Sequence, residues 1–512
     1  MAERTGGDET PTPDRVVVVL LDSLNRHLLG AWGSEEFDTP NLDRFAVGSV
    51  VFDRHHVGSL PCIPARHDLL VGALDFLWRP WGSIEAWEES ITASLRRAGV
   101  TTMLVSDHPH LFETGGENYH TDFSAWDYQR GSENDPWRTR PDPSGLAPGV
   151  GPALPAVHHR PYDDSRTWFR DEEDFPGPRT MRAAADWLTD SAPHHERFLL
   201  FIDEFDPHEP FDTPEPWASM YDPDWRGERL IWPPYAVDAV AKGVLTEQEA
   251  AHIHANYGSK LSMIDHWFGR VLDAVDALGD DVAVIVCTDH GLYLGERDIF
   301  GKPGVPLWPE LSRIPLMVRW PGVAPRREQA LTTTVDLHAT LCEVFGVTPE
   351  HRTHGRSLVG LLEGRERAVR DHLLAGYWSR HVYVVDAERT YGRSASGDPY
   401  PLAMWSNRWS SMPIEHAVPG YRFPRPDGRA DLRRMPGSDV PVIRQPFVEG
   451  DLLPFWSHAM PVDDHHLYRS DDPACAENLI GTPEETEALE LLRHALTEVA
   501  APEEQFLRLG LR

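Results

Sequence analysis

Short, nearly unbroken apolar runs alternate along the chain with longer stretches whose apolar positions recur at helical spacing. Arg15 leads into Val-Val-Val-Val-Leu-Leu, a run that suits a central parallel strand covered on both faces, and it stops at Asp22. Thr39 and Pro40 have the cap and first-position chemistry of a short helix. Residues 50–53 read as a strand. Residues 67–71 read as a helix that Cys62 faces from its N-terminal end. Residues 89–98 make an amphipathic helix stopped by Gly99, and 101–106 the next strand, which runs into Asp107-His108-Pro109-His110. A strand at 198–205 runs into Asp206-Pro207-His208. A helix over 246–277 carries Tyr257, Leu261, Ile264, Phe268 and Leu272 on one face. A strand at 281–288 ends in Asp289-His290-Gly291. Another follows at 314–320, and then a helix at 335–345.

This alternation predicts an α/β fold, a doubly wound, mostly parallel sheet. Four of its strands end in polar clusters, at Asp22, His108/His110, His208 and Asp289/His290. In such sheets ligands sit beyond the carboxyl ends of the strands, so these residues converge by topology. Residues 112–180, rich in Trp, Pro, Gly and charge, read as long loops around the pocket mouth. The Trp-bearing loops there and at 405–425 suggest an apolar or aromatic end to the substrate. After about residue 365 strand-like pieces (381–385, 466–468) alternate with Pro/Arg-rich loops, and a helix at 484–499 closes the chain. The expected organisation is a catalytic domain over 1–365 and a smaller α+β subdomain over 366–512.

Composition narrows the function. With 41% hydrophobic and 10% aromatic residues the chain is globular, and 512 residues can bury a large core. A formal charge of -33 argues against nucleic acid as a partner and requires any anionic substrate to find a local cationic pocket. Only three of the 48 basic residues are lysines (Lys242, Lys260, Lys302), which singles each of them out. No apolar run is long enough for a bilayer span or a signal-peptide core, and the polar start leads straight into the first strand. Four scattered cysteines offer neither a disulfide framework nor paired zinc spacing. The expectation is a cytoplasmic protein with reduced thiols and no membrane partner; the composition leaves room for an oligomer.

Cys287 and Cys342 lie in apolar runs, as small buried hydrophobes do. Cys62 does not. It begins Cys62-Ile63-Pro64-Ala65-Arg66, where a proline fixes the backbone and an arginine places a permanent cation nearby. A structural cysteine or an ordinary thiol nucleophile would also fit these residues. The spelling C-x-P-x-R resembles the signal that the formylglycine-generating enzyme recognises in sulfatases. Four further stretches are similar to that family in the same order. They are Thr39-Pro40-Asn41-Leu42-Asp43-Arg44, Ile264-Asp265 with Gly269-Arg270, Thr288-Asp289-His290-Gly291 with Gly301-Lys302-Pro303, and Leu467-Tyr468-Arg469 with Asp472-Pro473 and Glu477-Asn478-Leu479. The chain thus resembles the sulfatase family of the alkaline phosphatase superfamily, near the arylsulfatase and phosphonate monoester hydrolase group.

The resemblance implies a metal-dependent hydrolysis of small sulfate esters. Cys62, oxidised to formylglycine, would supply a diol whose hydroxyl attacks the ester and whose collapse expels the anion. Asp22, Asp289 and His290 would bind one divalent cation together with residue 62, Ca2+ first, with Mn2+ or Mg2+ as alternatives. Arg66 would support the nucleophile, Lys302 would contact the anion, and His208 would act as general acid or anion ligand. Two positions depart from the family. Ser23 stands where a second acidic metal ligand is common, so it receives no metal role. His108 stands where a lysine usually contacts the anion, with His110 keeping its neighbouring place. His108 is cationic only when protonated, so activity is expected to favour lower pH. A phosphonate monoester or phosphodiester hydrolase with the same nucleophile is the alternative, and a non-catalytic metal-binding relative with an unmodified thiol is a further one.

Overall fold

The computed structural model describes residues 12–154, 160–302, 306–395, 400–413, 421–458 and 464–512. Its main sheet has eight strands: β1 (Arg15–Leu21), β2 (Val50–Phe52), β3 (Thr101–Ser106), β4 (Ala125–Tyr128), β5 (Phe198–Glu204), β6 (Val282–Cys287), β7 (Leu316–Arg319) and β8 (Arg326–Glu328), in the spatial order β8-β2-β7-β6-β1-β5-β3-β4. The pairs β6-β1-β5-β3-β4 are all parallel, whereas β7 runs antiparallel to both β6 and β2. The predicted doubly wound, mostly parallel sheet is therefore present.

The continuous apolar spelling of β1 follows from burial on both faces. Val16, Val18 and Leu20 join Leu199 and Phe201 of β5 in one apolar layer, beneath helices α2 (Cys62–Val71) and α5 (Val335–Phe345). Val17, Val19 and Leu21 join Leu200 and Ile202 in the other layer. That layer lies beneath α1 (Pro40–Val47), α3 (Pro176–Asp190) and α4 (Glu247–Leu278). Each such side chain withdrawn from water contributes about 1.5–3 kcal/mol, so an alternating polar pattern would forfeit half of that.

Two of the family-like stretches turn out to hold the frame. Asp265 on α4 accepts the backbone N–H groups of Asn41 and Leu42 (3.0 and 2.7 Å), satisfying donors that the first turn of α1 leaves free. A Cβ at Gly269 would stand 2.8 Å from Asn41 Oδ1, so glycine there lets the two helices meet.

A second sheet contains β9 (His372–Tyr377), β10 (Val382–Asp386), β11 (Arg389–Arg393) and β12 (His466–Arg469), packed under α6 (Pro483–Glu498). Its edge strand comes from far upstream: Ser59 and Leu60 pair in parallel with Gly376 and Tyr377. Asn478 of the closing stretch accepts the N–H of Leu467 (3.0 Å), so that motif too is architectural.

Several expected boundaries shift. Residues 112–180 hold β4, a helix Arg160–Arg166 and the start of α3, not loops alone; 155–159 lie outside the described residues, as do Pro303 of the Gly-Lys-Pro stretch and 414–420. Trp137 packs on Phe169, and Arg138 stacks on Trp137 and Trp168 at 3.8 and 4.6 Å. These tryptophans hold their own segment together. Among the described residues no helix is long and apolar enough to cross a membrane.

Candidate active site

α2 begins at Cys62 itself, five residues earlier than the sequence pattern indicated. Pro64 falls in the first turn, where its missing N–H costs nothing. Arg66 then stands one turn beyond Cys62 on the same face, and its Nη1 donates to the Cys62 carbonyl at 3.2 Å. The expected loop-to-helix junction is instead deeply packed: all ten residues of α2 are buried, Cys62 with 2% of its surface exposed.

The polar strand ends converge on this helix. Asp22 follows β1, and Asp289 and His290 follow β6. One potential ligand atom from each of Asp22, Cys62, Asp289 and His290 lies within 4.8 Å of the others. His290 Nδ1 is engaged by the Gly291 carbonyl at 2.9 Å, which fixes its tautomer and turns Nε2 toward Cys62 Sγ, 3.3 Å away. Burial, with Lys302 nearby, pushes His290 down to about 4 against the pull of the aspartates, so the ring is neutral and has a lone pair to give. Asp22 Oδ2 is buried and accepts no hydrogen bond. Two carboxylates, a neutral imidazole and the residue-62 side chain form a donor set that suits a divalent cation.

Two cations shape the charge of this group. Arg66 is saturated: it forks onto Asp203 through Nε (2.9 Å) and Nη2 (2.7 Å), donates to Asp289 Oδ2 at 2.6 Å and lies 2.9 Å from Asp22 Oδ2. Lys302 Nζ lies 3.4 Å from Cys62 Sγ and 2.7 Å from His208 Nε2, to which it donates. His208 Nδ1 is 2.6 Å from the Glu209 carbonyl. His208 is thus buried and oriented, not an exposed loop residue. Its Nε2 is an acceptor here, so the proton-bearing group nearest the sulfur is the Lys302 ammonium. Burial works to raise Asp22, but the charges of Arg66 and Lys302 help to outweigh it and hold the carboxyl well below the usual range. For the Cys62 thiol burial wins: with Asp22 and Asp289 close by it is pushed well above its ordinary value, and a thiolate is disfavoured.

His108 lies beside Asp22 (Nε2 to Oδ2 3.4 Å), with both ring nitrogens free of hydrogen bonds. Burial and the neighbouring Arg66 push it well below its ordinary value. This works against the titrating positive charge expected of His108. His110, two residues on, is the charged ring. Glu133 (3.0 Å) and Glu113 flank it and, against burial, raise it to about 10. Trp81 packs edge-on against it at 4.9 Å.

Several members of the site have no signal in the residue pattern. Ser23 adopts a left-handed backbone (φ 60), from which its N–H donates to Asp289 Oδ1 (3.1 Å) and its hydroxyl to Asp22 Oδ1 (2.7 Å). It orients both carboxylates where the family often has a further acid. Asn25 clasps the two strand-end loops by exchanging hydrogen bonds with Leu292 (2.7 and 2.8 Å). Asp203 was passed over inside its apolar strand, although an acid in such a run demands a buried partner.

The sulfatase family model matches residues 14–347. A choline-sulfatase of Rhizobium meliloti is 28% identical over 378 residues, covering 69% of this chain and 72% of that protein. A multifunctional alkaline phosphatase superfamily protein of Trinickia caryophylli is 26% identical over 444 residues, covering 73% and 82%. The crystal structure of a phosphonate monoester hydrolase of Agrobacterium radiobacter superposes with a TM-score of 0.65 at 19% identity, covering 96% of this chain and 95% of that one. With the family model matched over most of the chain and the strand-end residues gathered around Cys62, the chain belongs to the sulfatase family of the alkaline phosphatase superfamily, as a sulfuric ester hydrolase.

Proposed function

We propose that this hydrolase cleaves small sulfate esters with a formylglycine made from Cys62 by the formylglycine-generating enzyme, beside one divalent cation held by Asp22, Asp289, His290 and residue 62. The observation that carries the reading is the meeting of those four ligand atoms with the Lys302 ammonium at Cys62 Sγ. A bound cation would supply Lewis-acid polarisation of the ester, and formylglycine a hydrated aldehyde hydroxyl as nucleophile. The chain's own groups do the rest. Arg66 keeps Asp22 ionised and fixes Asp289 in direction, and Ser23 hydrogen bonds set their rotamers. Lys302 places a point charge against the anion's oxygens, with His208 Nε2 accepting its hydrogen bond and keeping the ammonium aimed.

A sulfate ester carries one negative charge at its anionic group. A phosphonate monoester and a phosphodiester also carry a single negative charge, so the count of cations in the site does not separate them from a sulfate ester. The match to the sulfatase family model and to a choline-sulfatase favours sulfate esters over the phosphonate monoesters named for the structural relative. Turnover of aryl sulfate, alkyl sulfate, phosphonate monoester and phosphodiester, measured side by side, tests the preference. The mass of the tryptic peptide holding Cys62 tests the nucleophile. A peptide with intact cysteine in fully active enzyme would sink the formylglycine mechanism, and fastest turnover of a phosphonate would reverse the substrate assignment.

A further inference from the structure

A second set of buried acids lies on the other face of the same strands. Asp203 of β5 points toward α2, and the next residue, Glu204, points toward α3 and α4. Glu204 meets Asp107, just past β3, and Asp206; one oxygen from each lies within 4.8 Å of the others, and the three are 0%, 0% and 3% exposed. Asp107 accepts from Ser132 Oγ and from the N–H of Phe205, both at 2.8 Å. Glu204 Oε1 accepts the N–H of Asp206 at 3.2 Å, and Lys260 Nζ lies 2.8 Å from Asp206 Oδ1. The other two oxygens, Glu204 Oε2 and Asp206 Oδ2, are buried and accept nothing.

Three carboxylates face one ammonium, which leaves two negative charges without a contacting cation. Arg179 on α3 turns its guanidinium to the Arg130 carbonyl. The backbone of α3 comes close to this cluster: a Cβ at Gly177 would stand 2.4 Å from the free Asp206 Oδ2 and 2.8 Å from Glu204 Oε1. Unpaired charge at this depth is costly, and the deficit equals one divalent ion.

We propose that Asp107, Glu204 and Asp206 form a second cation site, distinct from the one at Cys62, for a hard divalent ion of the Ca2+ class. An all-oxygen donor set selects hard cations. Ligand atoms around Ca2+ span at most twice an oxygen distance of about 2.3–2.6 Å, which accommodates these three without rearrangement. Lys260 neutralises the third carboxylate. The ion is structural: it ties the end of β3, which leads into His108 and His110, to the end of β5, which leads into His208.

The test is a Ca2+ titration of full-length protein stripped with a chelator and desalted, read by calorimetry and by elemental analysis. The wild type is expected to bind two ions per chain. Asp289→Asn should retain one, and Glu204→Gln and Asp206→Asn should each lose one while keeping the ion near Cys62. One ion in the wild type, removed by Asp289→Asn, would overturn the proposal while leaving the catalytic metal intact; the carboxylates would then share protons. Two ions that persist in Glu204→Gln would place the second elsewhere and overturn it equally. The wild-type and Asp289→Asn counts decide even where a cluster variant does not fold.

Discussion

Asp203 and Glu204 are neighbours on one strand, equally buried, yet they belong to groups of opposite character. On the Asp203 side three aspartates share Arg66 with Lys302 nearby; Asp22 stays well below the usual carboxylate range, while burial raises Asp203 itself in spite of Arg66. On the Glu204 side burial, joined by the negative charges of Asp206 or Asp107, pushes Asp107 up to about 7 and Glu204 well above its ordinary value. Burial opposes ionisation in both places; cations within reach outweigh it at Asp22 and offset it only in part at Asp203. His108 and His110 repeat the contrast in reverse, one ring beside Arg66 and the other between two glutamates.

Removing the cation from the first group breaks the comparison most severely. Arg66→Leu leaves Asp22, Asp203 and Asp289 buried without their shared partner. It is expected to cost about 3–5 kcal/mol in urea unfolding and to abolish turnover. Arg66→Lys should fall between, since an ammonium cannot fork onto Asp203. A loss below about 1 kcal/mol for the leucine variant would show that the aspartates are held by something other than Arg66.

The histidine pair sharpens the comparison through pH. An unfolded His110 releases its proton near ~6.5, whereas the folded ring holds it to about 10. The stabilisation is therefore complete below ~6.5 and disappears as pH rises through the folded value. Relative to His110→Gln, the wild type should lose about 2–3 kcal/mol of its advantage between pH ~6 and ~10, the size of a charge-assisted hydrogen bond. A pH-independent difference would mean that the Glu113–His110–Glu133 bridge carries no charge.

The smallest effect is expected away from both groups. Asp265→Ala unties two N–H groups of α1 and should lower stability by about 1–2 kcal/mol, with Ca2+ content unchanged. Loss of bound metal in this variant would mean that the α1–α4 clasp reaches the site.

Much of this was legible in the residue pattern, and for physical reasons. β1, β3, β5 and β6 declared themselves because both faces of a central strand must be apolar, and their polar ends marked the site because the sheet is parallel. The start of α2 was hidden because proline reads as a helix breaker, whereas in the first turn it is harmless. The antiparallel direction of β7 and the existence of the edge strand β4 were opaque, since direction depends on a partner and β4 is largely exposed. Arg66 was visible in its motif, but Asp203 lies 137 positions away and acquires meaning only through the fork between them. The charge states of His108 and His110 were equally hidden, because Arg66, Glu113 and Glu133 decide them.

The edge strand at Ser59–Leu60 sets a timetable. It is completed by Gly376 and Tyr377, so the segment leading into Cys62 cannot take its final place until the chain has grown by roughly 300 further residues. At about 5–20 residues per second that takes roughly 15–60 s. Afterwards α2 is buried along its whole length. An enzyme that oxidises Cys62 therefore has a window during synthesis and little access once it closes. Slowing translation downstream of residue 62 should raise the fraction of chains converted.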